Sequence, residues 1–164
     1  MPVCQTKGRL VADSGVRIFE TTARPTVVVA RKTTWHEFPS LWRTLLDEVY
    51  AVVKADGPGR TEGGEPRRQN VMLYKDDVPN VEVGVLGDGV FPGASNVIAS
   101  VLPGGATATT THRGPYAELD VAHRAVRDWC AAQDLKLAGP RWEIYGHWHD
   151  DPNELETEVY YLLS

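Results

Sequence analysis

The order of structural signals along this chain is written twice, and that duplication limits the fold more than any other feature. Residues 16–34, VRIFETTARPTVVVARKTT, are β-prone, with Val27, Val28 and Val29 in succession. Pro25 divides this segment into two short strands or one bent strand. A helix is expected over roughly 35–54, because Phe38, Leu41, Trp42, Leu45, Leu46 and Val49 recur at spacings of three and four. Thr34 with Glu37 three residues on fits a capping box at its start. The Gly- and Pro-rich stretch 56–67 reads as a loop. VMLYKDD and VEVGVL then read as two strands around a turn containing Pro79-Asn80.

The second half runs through the same signals. Residues 96–113, NVIASVLPGGATATTTHR, are two β-prone runs divided by Pro103. A helix follows at roughly 115–133, with Pro115 in its first turn and an apolar stripe of Leu119, Ala122, Val126, Trp129 and Cys130. Gly139-Pro140 closes the connection, and RWEIYGHW and ETEVYYLL flank a turn containing Asp150-Asp151-Pro152-Asn153. The hairpins also match in letters. Leu73-Tyr74, Asp76-Asp77, Pro79-Asn80 and Glu82 answer Ile144-Tyr145, Asp150-Asp151, Pro152-Asn153 and Glu158.

The expected fold is therefore α+β: a tandem βαββ repeat with pseudo-two-fold symmetry, antiparallel sheets and two helices packed on them. Residues 1–164 form a single domain, with repeat 1 at about 16–87, a linker at 88–95 and repeat 2 at about 96–164. One such unit is too small to bury much by itself. A groove is expected between the two copies, where clefts collect.

Charge and composition narrow the function. A formal net charge of −5 and no basic cluster beyond Arg67-Arg68 argue against direct nucleic-acid binding. No apolar run approaches the roughly 18 residues needed to span a membrane, and MPVCQTKGRL lacks the apolar core of a secretory signal. A cytoplasmic protein is the default expectation. Cys4 and Cys130 share no motif spacing, so neither a disulfide framework nor a zinc site is implied.

Strand alternation puts Glu158, Tyr160 and Leu162 on one face of the last strand. A carboxylate among aromatic residues is costly to bury unless something pairs with it. A lipophilic cation would supply that charge. The plain alternative has Glu158 facing solvent or paired with Arg141.

Gly114-Pro115-Tyr116, Gly139-Pro140 through Glu143-Ile144-Tyr145, and Thr157-Glu158-Val159-Tyr160-Tyr161 stand in order along the chain. Together they resemble the GyrI-like family, the effector-binding domain of AraC-type and MerR-type multidrug regulators, over residues 16–164. The resemblance implies a groove for hydrophobic, often cationic, drugs or dyes. It maps a central glutamate onto Glu158 and a tyrosine onto Tyr145, while Tyr74 and Glu82 follow from the internal repeat. Leu162 stands where relatives often carry proline. With no helix-turn-helix segment in the sequence, a stand-alone binder is expected, with no direct nucleic-acid or membrane contact and no cofactor.

Other readings stay open. Some relatives are hydrolases that open the cyclopropane rings of genotoxic natural products, and Glu158 with Tyr145 would suit that chemistry too. A further reading is a protein partner, with the family's namesake inhibition of DNA gyrase. His147 and His149 beside Asp150 invite a metal, although a solvated hairpin tip is the plainer view. His123 reads as a surface or boundary residue of its helix. Among the aromatics, Trp35 and Phe91 are candidates to line the groove, and Trp142 is either core or a groove wall.

Overall fold

The computed structural model describes residues 15–55, 68–89 and 96–164. The predicted 56–67 loop, most of the linker, Phe91 and Cys4 lie outside them. The chain forms β1 (Arg17–Thr21), β2 (Arg24–Lys32), α1 (Phe38–Ala55), β3 (Asn70–Tyr74) and β4 (Asn80–Leu86). Then come β5 (Val97–Leu102), β6 (Gly105–Arg113), a 3-10 turn (Tyr116–Glu118), α2 (Leu119–Ala132), β7 (Leu137–Tyr145) and β8 (Glu156–Leu163). The eight strands make one sheet in the order β1-β6-β8-β7-β3-β4-β2-β5. Every neighbouring pair is antiparallel.

The two halves meet at β3 and β7. Val71 pairs with Ile144, Met72 with Glu143, Leu73 with Trp142 and Tyr74 with Arg141. Met72 and Glu143 thus sit at the centre of the sheet. The hairpin registers also agree, since Leu73 faces Glu82 as Ile144 faces Glu158. The repeated aspartates have a local job. Asp76 accepts from the backbone N–H groups of Val78 and Asn80, and Asp151 accepts from that of Asn153, so each ties its own turn.

The exchange of first strands departs from two self-contained units. β1 pairs with β6 and β5 pairs with β2, so each half lends its first strand to the other. β1 and β2 stand near opposite ends of the sheet order, yet only Thr22 and Ala23 join them. Two residues span at most about 7 Å, so the sheet must curl until its ends approach. The corner at Pro103-Gly104 meets the corner at Thr22-Ala23 there: a Cβ on Gly104 would lie 2.8 Å from the Ala23 nitrogen. Pro25 lies inside β2 rather than at the break. Gly139-Pro140 belongs to β7, where the register shifts between Leu137 and Arg141 and spares proline a ladder bond.

Both helices pack on one face of this sheet. α1 covers Val27, Val29, Met72, Val81, Val83 and Val85, while α2 covers Ala108, Val159 and Tyr161. Thr34 does cap the first helix region, its hydroxyl accepting from the Glu37 N–H at 3.0 Å, but a turn precedes the α-helix proper at Phe38. The curl encloses a second core on the helix-free face, with Val28, Val71, Leu73, Leu102 and Ile144 buried. Trp142 stacks on Tyr160 within it, ring centroids 5.5 Å apart. Burial on both faces explains why the valine run of β2 does not alternate with polar residues.

Gly84 marks the closest approach in this second core. A Cβ there would stand 2.0 Å from the Val27 carbonyl oxygen. Gly84→Ala is therefore expected to destabilise the domain by about 1–3 kcal/mol, the usual cost of overpacking. Urea unfolding should show the midpoint falling with little change in slope.

Candidate functional site

β7 is central, so the residues it sends toward the helices form the floor between them. Strand alternation selects Arg141, Glu143 and Tyr145 for that face. Tyr74 and Met72 flank them from β3, and Tyr161 from β8. α1 supplies one wall and the 3-10 turn with α2 the other. Together they bound a groove of about 1150 Å³. Trp35 and Phe38 pack against Tyr74 with centroids 5.6 and 5.5 Å away. Tyr116 meets Tyr145 edge-on at 5.3 Å, and Trp148 stands exposed at the rim.

Glu143 is the chemical centre of this floor. It is 5% exposed. One carboxylate oxygen accepts from the Tyr145 hydroxyl at 2.6 Å and the Tyr74 hydroxyl at 3.2 Å. The other meets His123 Nε2 at 2.6 Å. His123 Nδ1 lies 2.8 Å from the Tyr161 hydroxyl, which also accepts from Arg127 at 3.0 Å. The His123 ring thus links Tyr161 to Glu143 through its two nitrogens, with Arg127 donating to the Tyr161 hydroxyl at the far end of the chain. Burial, followed by the adjacent Glu143 charge, pushes the Tyr74 and Tyr145 hydroxyls well above their ordinary pKa. Burial likewise raises Tyr161, with Arg127 and Arg141 pulling the other way.

Several sequence expectations meet different surroundings. Tyr74, Tyr145 and Trp35 do line the groove. Glu158 does not: it pairs across the strands with Ile144 and so shares that residue's face, opposite Glu143 and Tyr145. There it accepts from the Tyr160 hydroxyl at 2.8 Å; burial first, and then this hydrogen bond, push that phenol up to about 12. Arg141 is not its partner, being on the other face and paired with Asp77. Glu82 also lies on the helix-free face, held by Lys75 at 2.8 Å and Ser100 at 2.7 Å. Tyr160 and Trp142 belong to the second core rather than to the groove. The physical reason is common to all four. Residues one apart on a strand point oppositely, so Glu158 and Tyr145, whose partner is Thr157, cannot share a side.

Glu143, Arg141, Arg127 and Tyr161 also line the groove, and His123, expected at a surface or boundary position of its helix, is partly buried against its floor. Alternation alone would have put Glu143 with Tyr145. The histidine's role depends on where α2 lands on the sheet. His147 reaches the groove rim, whereas His149 and Glu158 border a smaller recess of about 300 Å³. Among the described residues no group of three or more potential ligands is arranged to hold a metal. No helix among them is long and apolar enough to cross a membrane.

Comparison with known proteins agrees with this architecture. A family model, the GyrI-like small molecule binding domain, matches residues 15–163. The chain belongs to the GyrI-like family and is a small-molecule-binding domain of that type. The fold is shared with the C-terminal domain of EcmrR (19% identity, 91% of this chain and 96% of that one, TM-score 0.69). It is shared with a hydrolase from Listeria innocua (13%, 92% and 92%, TM-score 0.62). It is also shared with SAV2435 bound to tetraphenylphosphonium (11%, 91% and 93%, TM-score 0.64). No curated protein sequence matches the chain.

The Glu143 network gives an energetic test. His123→Ala strips a donor from a buried carboxylate and is expected to cost about 1–3 kcal/mol. In Glu143→Gln the same histidine change should cost clearly less, because no buried charge is left short of a donor. A double-mutant cycle by urea unfolding measures the coupling.

Proposed function

We propose that the groove binds hydrophobic aromatic molecules, cationic ones in particular, with Glu143 as the charge anchor and Tyr145, Tyr74 and Trp35 as flanking surfaces. Sequestration or sensing of such compounds is the corresponding role. The observation that carries this reading is a buried carboxylate at the middle of an aromatic-lined groove. Its two phenol donors bring no formal charge of their own. A buried anion in that state favours a cation that arrives dehydrated. The surrounding rings add cation–π attraction of about 0.5–2 kcal/mol each. A lipophilic cation bound to SAV2435 is in keeping with this chemistry.

Quenching of tryptophan fluorescence by tetraphenylphosphonium tests the reading. Saturable binding is expected, weakened at least about tenfold by Glu143→Gln. Glu158→Gln, on the other face, should leave the affinity as it is. Equal affinity in wild type and Glu143→Gln would remove Glu143 from the anchor role.

A hydrolytic reading is favoured by one specific feature. Glu143 holds Tyr145 on one oxygen and His123 on the other at 2.6 Å each, an array able to accept and return a proton. Glu143 would take the proton of a water adding to a strained cyclopropane carbon, and the departing ring carbon would recover one. Incubation with a cyclopropane-bearing alkylator decides the matter. Ring-opened product that disappears in Glu143→Gln supports turnover, and its absence in wild type leaves the binder.

A further inference from the structure

Two cations stand at one end of the groove floor without a buried counter-charge. The side chain of Arg141 is 16% exposed and rises between its cross-strand neighbours Tyr74 and Tyr161. Its guanidinium lies over the Trp35 ring at 5.5 Å and donates to the Gly139 carbonyl at 3.1 Å. Its carboxylate partner, Asp77 at 2.8 Å, is 92% exposed, so solvent screens much of that attraction. Arg127 approaches from α2 and donates to the Tyr161 hydroxyl at 3.0 Å. Among the described residues it has no carboxylate partner.

Both guanidiniums therefore act on one phenol, Arg127 by a hydrogen bond to its hydroxyl and Arg141 as its cross-strand neighbour, and their like charges repel. The lining as a whole leans the same way, with Arg43, Arg68, Arg127 and Arg141 against Asp120 and Glu143. A ligand bearing positive charge alone would find Glu143 but would also face this surplus. His123 bridges Tyr161 to Glu143, so the cationic end of the floor and its anionic centre are separated by one imidazole ring and the hydrogen bonds of 2.8 and 2.6 Å on its two nitrogens, with Arg127 a further 3.0 Å beyond Tyr161. That is the scale of the separation between charges within one substituted aromatic molecule.

We infer that Arg127 and Arg141, with the Tyr161 hydroxyl, form an anion-holding subsite beside Glu143, so that the groove selects amphoteric ligands: aromatic cations that also carry a carboxylate or a similar oxyanion. The inference rests on the small-molecule reading of the groove and names a ligand class for it. The guanidinium fork suits such a group because it offers paired N–H donors to two oxygens at once. Glu143 takes the positive part of the same molecule, and the aromatic walls take its body.

Rhodamine B and its ethyl ester provide a matched pair, since both carry the same cationic ring system and only the former has a free carboxylate. Fluorescence anisotropy titrations at neutral pH give the ratio of their affinities. Wild type is expected to prefer the free acid, and the preference should fall about tenfold in Arg127→Gln. Arg127→Lys should keep part of it, because the charge remains while the fork is lost. Arg127 is exposed on its helix, so its variants test the subsite even if Arg141→Gln fails to fold. Ester bound as tightly as acid, or a preference untouched by Arg127→Gln, overturns the anion subsite while leaving the cation reading in place. Failure of wild type to bind either dye overturns both.

Discussion

The β3–β7 ladder is the constraint from which the site follows. These strands join the two halves of the sheet, and their register fixes which side chains face the helices. In the observed register Tyr74, Met72, Arg141, Glu143 and Tyr145 line one side, and Val71, Leu73, Trp142 and Ile144 the other. A slip of one residue in either strand would exchange these sets. The charged floor would then press into the second core, and the Trp142–Tyr160 stack would be turned out of it. The cost of burying Glu143 without its donors therefore opposes any other register, alongside the apolar area lost from both faces.

The floor is chemically lopsided although the strands beneath it are arranged symmetrically. Met72 and Glu143 are mutual partners at the centre, one a thioether and the other a carboxylate. On the helix-free face, Gly84 and Tyr160 hold comparable places, each two residues beyond the glutamate of its strand, yet one has no side chain and the other a stacked ring. Gly84 lets its strand press against the Val27–Val28 backbone, while the Tyr160 ring stacks on Trp142. This allows the curled sheet to close around a core with no helix covering it. The same division leaves Glu143 as the single buried carboxylate on the groove side among the described residues, with α2 contributing His123 and Arg127 around it.

Much of the architecture was legible in the letters. The recurrence of strand, helix and hairpin signals, the capping threonine and the turn-tying aspartates are local features, each set by a few neighbouring residues. The strand exchange was not legible. Pro25 and Pro103 indicate a break or bend, but which strand each piece joins depends on the curl of the whole sheet. Glu158 is a carboxylate beside an aromatic residue, but that neighbour, Tyr160, lies on the face away from the groove. Glu143 stood within the same motif and, by alternation, on the same side as Tyr145. Choosing between the two glutamates required knowing which face of the hairpin the helices cover.

The sequence by itself determined the elements, their duplicated order and the family to which the chain belongs, because propensity, periodicity and turn chemistry act over a few residues. Only the tertiary structure decided which carboxylate lies on the floor and which histidine and arginines surround it. Those residues come from β3, β7, β8 and α2, which are distant along the chain. Their meeting is set by strand register and helix packing, quantities that no local stretch of residues encodes.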